Sequence, residues 1–115
     1  RDTKEKTSVS LEGIAAYVQQ LLQDIQTAMF EKARAYRDEH ITNADSWGEF
    51  VKILDEKGGF VFAHWDGTAE TEAEIKEKTK ATVRCIPIDG SGVEEGACIL
   101  SGKPSKQRVL FARAY

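Results

Sequence analysis

Cysteine and proline are scarce in this chain, with two of each in 115 residues. Two cysteines, Cys85 and Cys98, are too few for the disulfide framework of a small secreted domain, and a reducing, cytoplasmic setting is the simpler expectation. Long apolar runs are missing as well. None approaches the ~18 residues of a membrane helix, so no membrane partner is expected. The opening RDTKEKTSVS has no hydrophobic stretch behind its charges and does not read as a signal peptide. It starts on Arg1 rather than methionine, which points to a piece of a longer chain. Excess positive charge is also absent. The formal net charge is −3, so the molecule as a whole is not drawn to nucleic acid.

Catalytic signatures are equally thin. Only two histidines occur, His40 and His64, and no Ser-His-Asp or Cys-His order with a familiar local pattern surrounds them. His40 falls near a helix C-terminus, where the dipole favours an imidazolium. His64 lies in a strand, where packing or hydrogen bonding is the ordinary role. The GSG at 90–92 lacks the Lys-Ser/Thr and following helix of a phosphate loop. Carboxylates crowd residues 70–77 (ETEAEIKE), but on a solvated helix.

What is present suits one compact domain with its own core: 41% of residues are hydrophobic and 30% charged. From about Ser10, apolar residues from Leu11 to Tyr36 recur every three or four positions, a stripe about 40 Å long on a helix, which predicts a connecting helix over residues 10–41. A helix of that length connects two bodies and packs its stripe against both. HITNAD breaks the pattern. Ser46 and Glu49 then form a capping box for a second helix with Trp47, Phe50, Val51 and Leu54 inside, and Gly58-Gly59 ends it.

FVFAHW (60–65) reads as a strand. Residues 69–79 read as a polar helix with Glu72–Lys76 and Glu74–Lys78 pairs and a thin apolar side at Ala73 and Ile75. TVRCIPI (82–88) is a second strand, with Cys85 as a small buried hydrophobe. DGSGVEEG (89–96) reads as a loop, ACIL (97–100) as a short strand and RVLFARAY (108–115) as the last strand. The expected fold class is α+β: a long connecting helix, then a two-layer sandwich of helices on a small mixed sheet.

One motif invites a metal reading. CILSGKP (98–104) has the spacing of half a zinc knuckle, with Ser101 where a second cysteine would stand and Gly102 at the turn. Structural zinc takes four thiolate or imidazole ligands in two short-spaced pairs. The upstream stretch HWDGTAETE contains no cysteine, so the residues alone predict no zinc. The last fifteen residues carry Lys103, Lys106, Arg108 and Arg113 and no acid. Lys103, Lys106 and Arg108 are candidate phosphate contacts, with a solvated strand edge as the alternative.

Together GFVFAHWDG, KATVRCIPID, SGKPSKQRVLFARAY and the opening RDTKEK resemble the C-terminal end of the prolyl-tRNA synthetase family, archaeal/eukaryote-like type, over essentially the whole chain. The resemblance implies that residues 1–9 are the tail of an anticodon-binding domain, 10–41 a connecting helix, and 42–115 the extra C-terminal domain. In many members that domain binds one zinc through four cysteines. Those positions correspond to Asp66, Thr71, Cys98 and Ser101, so no zinc is expected, and local hydrogen bonds from Asp66 and Thr71 would take over the clamp. Cys85 is not among the four and is placed in a core strand.

The resemblance also implies that Tyr115 supports the active site from outside, with no catalytic residue in the fragment. The parent would be a class II ligase, commonly a homodimer, joining proline to tRNA(Pro) with ATP and Mg²⁺. This piece would pack against the parent's catalytic and anticodon-binding domains. The competing expectation is an independent nucleic-acid-binding or protein-interaction module that uses the basic last strand.

Overall fold

The computed structural model of the chain describes residues 3–114, in two compact units, residues 1–39 and 40–115. The first unit is dominated by helix α1, Ile14–Glu39. It begins four residues later than the periodicity predicted. The Ser10 hydroxyl accepts the Glu12 amide at 3.3 Å, and Gly13 takes a left-handed φ of 73°. Residues 10–13 therefore turn before the helix starts. None of the residues of α1 is buried, and Leu21, Leu22, Met29, Phe30 and Tyr36 are exposed along it.

The second unit holds the core. Strand β1 (Ile41–Asn43) opens it, followed by helix α2 (Trp47–Lys52), which widens into a π-helical turn at Ile53–Lys57. Then come β2 (Phe60–His64), helix α3 (Ala69–Thr79), β3 (Ala81–Cys85), β4 (Val93–Ala97) and β5 (Pro104–Arg113). The sheet order is β1-β2-β5-β3, with β4 also paired to β5. The β1–β2 pair is parallel and the others are antiparallel. The fold is α+β, as expected.

Alternation along β2 points Val61 and Ala63 to the helices, opposite Phe111 and Val109 of β5. Phe50, Leu54 and Ile75 close this layer from the helical side. Phe50 stacks on Trp47 with ring centroids 5.4 Å apart and meets the Phe111 ring edge-on at 5.2 Å. Val51 is only half-buried. The predicted cap of α2 forms, with Ser46 Oγ accepting the Glu49 amide at 3.3 Å. Its reciprocal arm differs, because the Glu49 carboxylate accepts from the Asp45 amide at 3.1 Å.

Several local expectations are corrected. HITNAD contains β1, a three-residue strand that exists through its pairing with β2. DGSGVEEG contains the first residues of β4, every residue of which is exposed. Its main chain pairs with β5, so no apolar pattern was needed. Of ACIL (97–100), only Ala97 lies in a strand, as the last residue of β4, and the chain then turns through residues 99–101. Cys98 and Ile99 are apolar because they plug the core from that turn.

Cys85 is exposed and not in the core. The β3–β5 register shifts between Val83 and Cys85 and carries the thiol outward. On α3 the buried positions are Thr71, Ile75 and Thr79, one turn apart, while Ala73 faces solvent. The Glu74–Lys78 pair forms at 2.6 Å. Glu72 instead accepts the Val83 amide at 3.1 Å and ties α3 to β3.

Candidate functional site

The chemistry predicted from CILSGKP and HWDGTAETE converges on one carboxylate. Asp66-Gly67-Thr68 is a local turn in which the Thr68 amide donates to Asp66 Oδ1 at 3.1 Å and the Thr68 hydroxyl donates to the same oxygen at 2.8 Å. Thr68 is also the N-cap of α3 and accepts the Thr71 amide at 3.4 Å. The Thr71 hydroxyl reaches back to Asp66 Oδ2 at 2.8 Å. Trp65 Nε1 donates to the Thr68 carbonyl at 3.2 Å and fixes the turn against its neighbour.

The second arm arrives from 35 residues away. Ser101 Oγ donates to Asp66 Oδ2 at 2.6 Å. Ser101 sits in a tight turn closed by the Gly102 amide to the Cys98 carbonyl at 3.0 Å and the Cys98 amide to the Lys103 carbonyl at 2.8 Å. Gly102 has a φ of 68°, the left-handed conformation that glycine adopts without a Cβ penalty. The Ile99 amide donates to the His64 carbonyl at 2.9 Å, so β2 holds the same turn from below. Burial pushes the Asp66 carboxyl up, but hydrogen bonds from Ser101, Thr71 and Thr68 outweigh it and hold the group well below the usual carboxylate range.

Three of the four positions implied by the resemblance, Asp66, Thr71 and Ser101, are therefore brought together, and the fourth, Cys98, heads the turn that carries Ser101. Their donors do not suit a structural zinc ion. Two are neutral hydroxyls, and both oxygens of the one carboxylate already accept hydrogen bonds from them and from Thr68. Among the described residues, no three His, Cys, Asp or Glu side chains gather as a metal-binding group. The D-G-T turn and the Thr68 cap were legible locally. The resemblance put Ser101 at the same corner as Asp66, but the hydrogen bond between them leaves no local pattern in the sequence.

The basic strand is divided by the fold. Lys103 and Lys106 are exposed. Arg108 is drawn inward, with its side chain 13% exposed. Its Nε donates to Glu94 at 2.8 Å, and its other nitrogens reach the Asp45 carboxylate and the Ala44 carbonyl. Burial disfavours that charge, but the bonds to Glu94 and Asp45 outweigh it and keep the guanidinium above its ordinary pKa. Arg113 is similarly engaged by Asp55 and by the carbonyls of Thr79 and Leu54. Tyr115 lies outside the described residues.

A second polar cluster was not foreseen. His64 is 6% exposed, and its Nδ1 lies 3.1 Å from Ser105 Oγ. Ser105 donates to the Gln107 carbonyl at 2.8 Å. It therefore accepts from His64, which places the imidazole proton on Nδ1. Nε2 faces Glu94 at 3.8 Å across a shallow cavity of about 230 Å³ that Asp45, Gly96 and Arg108 also line. This agrees with a hydrogen-bonding role for the strand histidine.

Residues 47–115 match the family described as "Prolyl-tRNA synthetase, C-terminal". Similar proteins named proline--tRNA ligase come from Phocaeicola vulgatus, 56% identical over 117 aligned residues, Cytophaga hutchinsonii, 57% over 115, and Porphyromonas gingivalis, 56% over 115. Each alignment covers 100% of this chain and 23% of the relative. The chain thus spans about a quarter of the length of the proteins it matches.

Proposed function

Since the chain belongs to the prolyl-tRNA synthetase C-terminal family, we propose that it serves as the non-catalytic C-terminal domain of a proline--tRNA ligase. The parent would activate proline with ATP and Mg²⁺ and transfer it to tRNA(Pro), as a cytoplasmic enzyme and a homodimer. In this reading residues 1–9 are the tail of the anticodon-binding domain, 10–41 connect, and 42–115 pack beside the catalytic domain. The observation that carries the reading is the family match over 47–115, which begins with α2 and runs through the last strand of the second unit. Identity of 56–57% along the whole chain extends it to the N-terminal unit.

Tyr115 is proposed to support the active site from outside, a role that rests on the resemblance. Deleting Tyr115 from the full-length ligase should lower aminoacylation roughly tenfold, an effect of about 1.4 kcal/mol on the barrier, while the melting temperature of the domain stays unchanged. Full activity in the deletion would remove that role.

The competing nucleic-acid module loses support from the engagement of Arg108 and Arg113 by carboxylates and carbonyls. Lys103, just before the strand, and Lys106 on it are exposed. Titrating the 115-residue chain with tRNA at several salt concentrations separates the two readings. The domain reading expects weak binding, whereas tight binding that falls steeply with salt would favour the module.

A further inference from the structure

The corner between residues 66–71 and 98–103 has the layout of a ligand-held joint, yet its centre is a protein carboxylate. Asp66 receives four neutral donors: the Thr68 amide and hydroxyl, the Thr71 hydroxyl and the Ser101 hydroxyl. They come from a turn, the first residues of α3 and the turn that feeds β5. Thr71 is itself 6% exposed, so the joint extends into the interior. Ser101 Oγ also accepts the Lys103 amide at 3.4 Å, one residue before β5 begins. β5 is the strand to which β2, β3 and β4 all pair, so the joint fixes the entry of the central strand.

We propose that Asp66 is the hub of a built-in, metal-free clamp that fastens the start of α3 to the 98–103 turn and so sets where β5 enters the sheet. The clamp belongs to the folded 40–115 unit and operates whatever the longer protein catalyses. Its chemistry makes two demands that a metal site does not. It needs no ion, so chelators leave it intact. It needs a charged Asp66, because a protonated carboxyl brings a donor among donors.

The sign of the pH dependence follows. The folded carboxyl lies below its ordinary value of 3.8, so the clamp contributes fully above that value and is lost as pH falls beneath it toward the folded-state value. All four groups bonded to Asp66 are uncharged, so added salt has little to screen.

The test uses the purified 115-residue chain, its metal content, and thermal unfolding between pH 3 and 7 with and without a strong chelator. The wild type should carry no stoichiometric zinc and melt at the same temperature in chelator. Asp66→Asn should melt roughly 5–10 °C lower at pH 7. The gap between wild type and variant should begin to narrow as pH falls from 4 to 3, with most of the loss at still lower pH. Ser101→Ala removes a single donor and keeps the clamp testable if Asp66→Asn does not fold. It should melt a few degrees lower at pH 7, again with a gap that narrows as pH falls from 4 to 3. One zinc per chain, a chelator-induced drop in melting temperature, or variants that melt like wild type at pH 7 would each overturn the clamp. So would a gap that persists unchanged in acid.

Discussion

Gly96 shows how little a residue's own chemistry says about its duty. It sits on the exposed strand β4, yet a Cβ there would meet three atoms of the buried His64 ring well inside van der Waals contact. The imidazole is held by Ser105, so it cannot simply swing aside. Gly96→Ala should therefore destabilise the second unit by about 1–3 kcal/mol, the usual cost of overpacking. A urea denaturation midpoint lowered relative to wild type would register it, and a displaced His64 ring signal would show where the strain falls. An unchanged midpoint would mean that β4 slides to accommodate the methyl. Cys85 makes the converse point. Its apolar neighbours in TVRCIPI pointed inward, and a register shift in the β3–β5 ladder decided otherwise.

At the scale of elements, arginines add polar ties between parts of the second unit. Arg108 of β5 links Glu94 of β4 to Asp45 before α2, and Arg113 links β5 to the π-helical turn through Asp55 and Leu54. Both carboxylates around Arg108 are largely exposed, so its loss strands no buried anion. Arg108→Met should cost about 1–3 kcal/mol through lost charge-assisted hydrogen bonds. Because the guanidinium is shielded, salt should change the wild-type value little. Chemical denaturation of both proteins at low and high salt checks this; a wild-type advantage that vanishes in salt would contradict the shielded pair. α2, β2 and most of β5 were legible because their apolar spacing records one buried face, whereas α1 was legible from the same spacing although it buries none of its residues. β1 and β4 were not, since each is held by main-chain pairing to a distant strand and needs no pattern of its own.

Over the whole molecule, stability is unevenly placed. The hydrophobic core lies entirely in the second unit, and α1 buries no residue. Helices in proteins draw most of their stability from packing an apolar face, and α1 buries none of its residues. A chain lacking residues 1–39 should therefore unfold cooperatively within about 3 °C of the intact 115-residue chain, a difference of well under 1 kcal/mol. Hydrogen exchange on the intact chain should be fast throughout α1 and slow in β2 and β5. A large loss of melting temperature on truncation would show that the first unit contributes to the core's stability.

The sequence by itself determined the α+β class, the long first helix, the cap at Ser46, the helix at 69–79 and the strands that carry the core. Each is written in short-range spacing that one face of an element must satisfy. Its likeness to the prolyl-tRNA synthetase family, and the substitution of Asp66, Thr71 and Ser101 at three positions of a corner, were also readable from residues alone. Tertiary structure decided what those three do. Ser101 and Asp66 are 35 residues apart and meet because β2, α3 and β5 place their ends at one corner. A hydrogen bond formed across that distance leaves no periodic trace in the chain, since its partners are chosen by the packing of the elements between them.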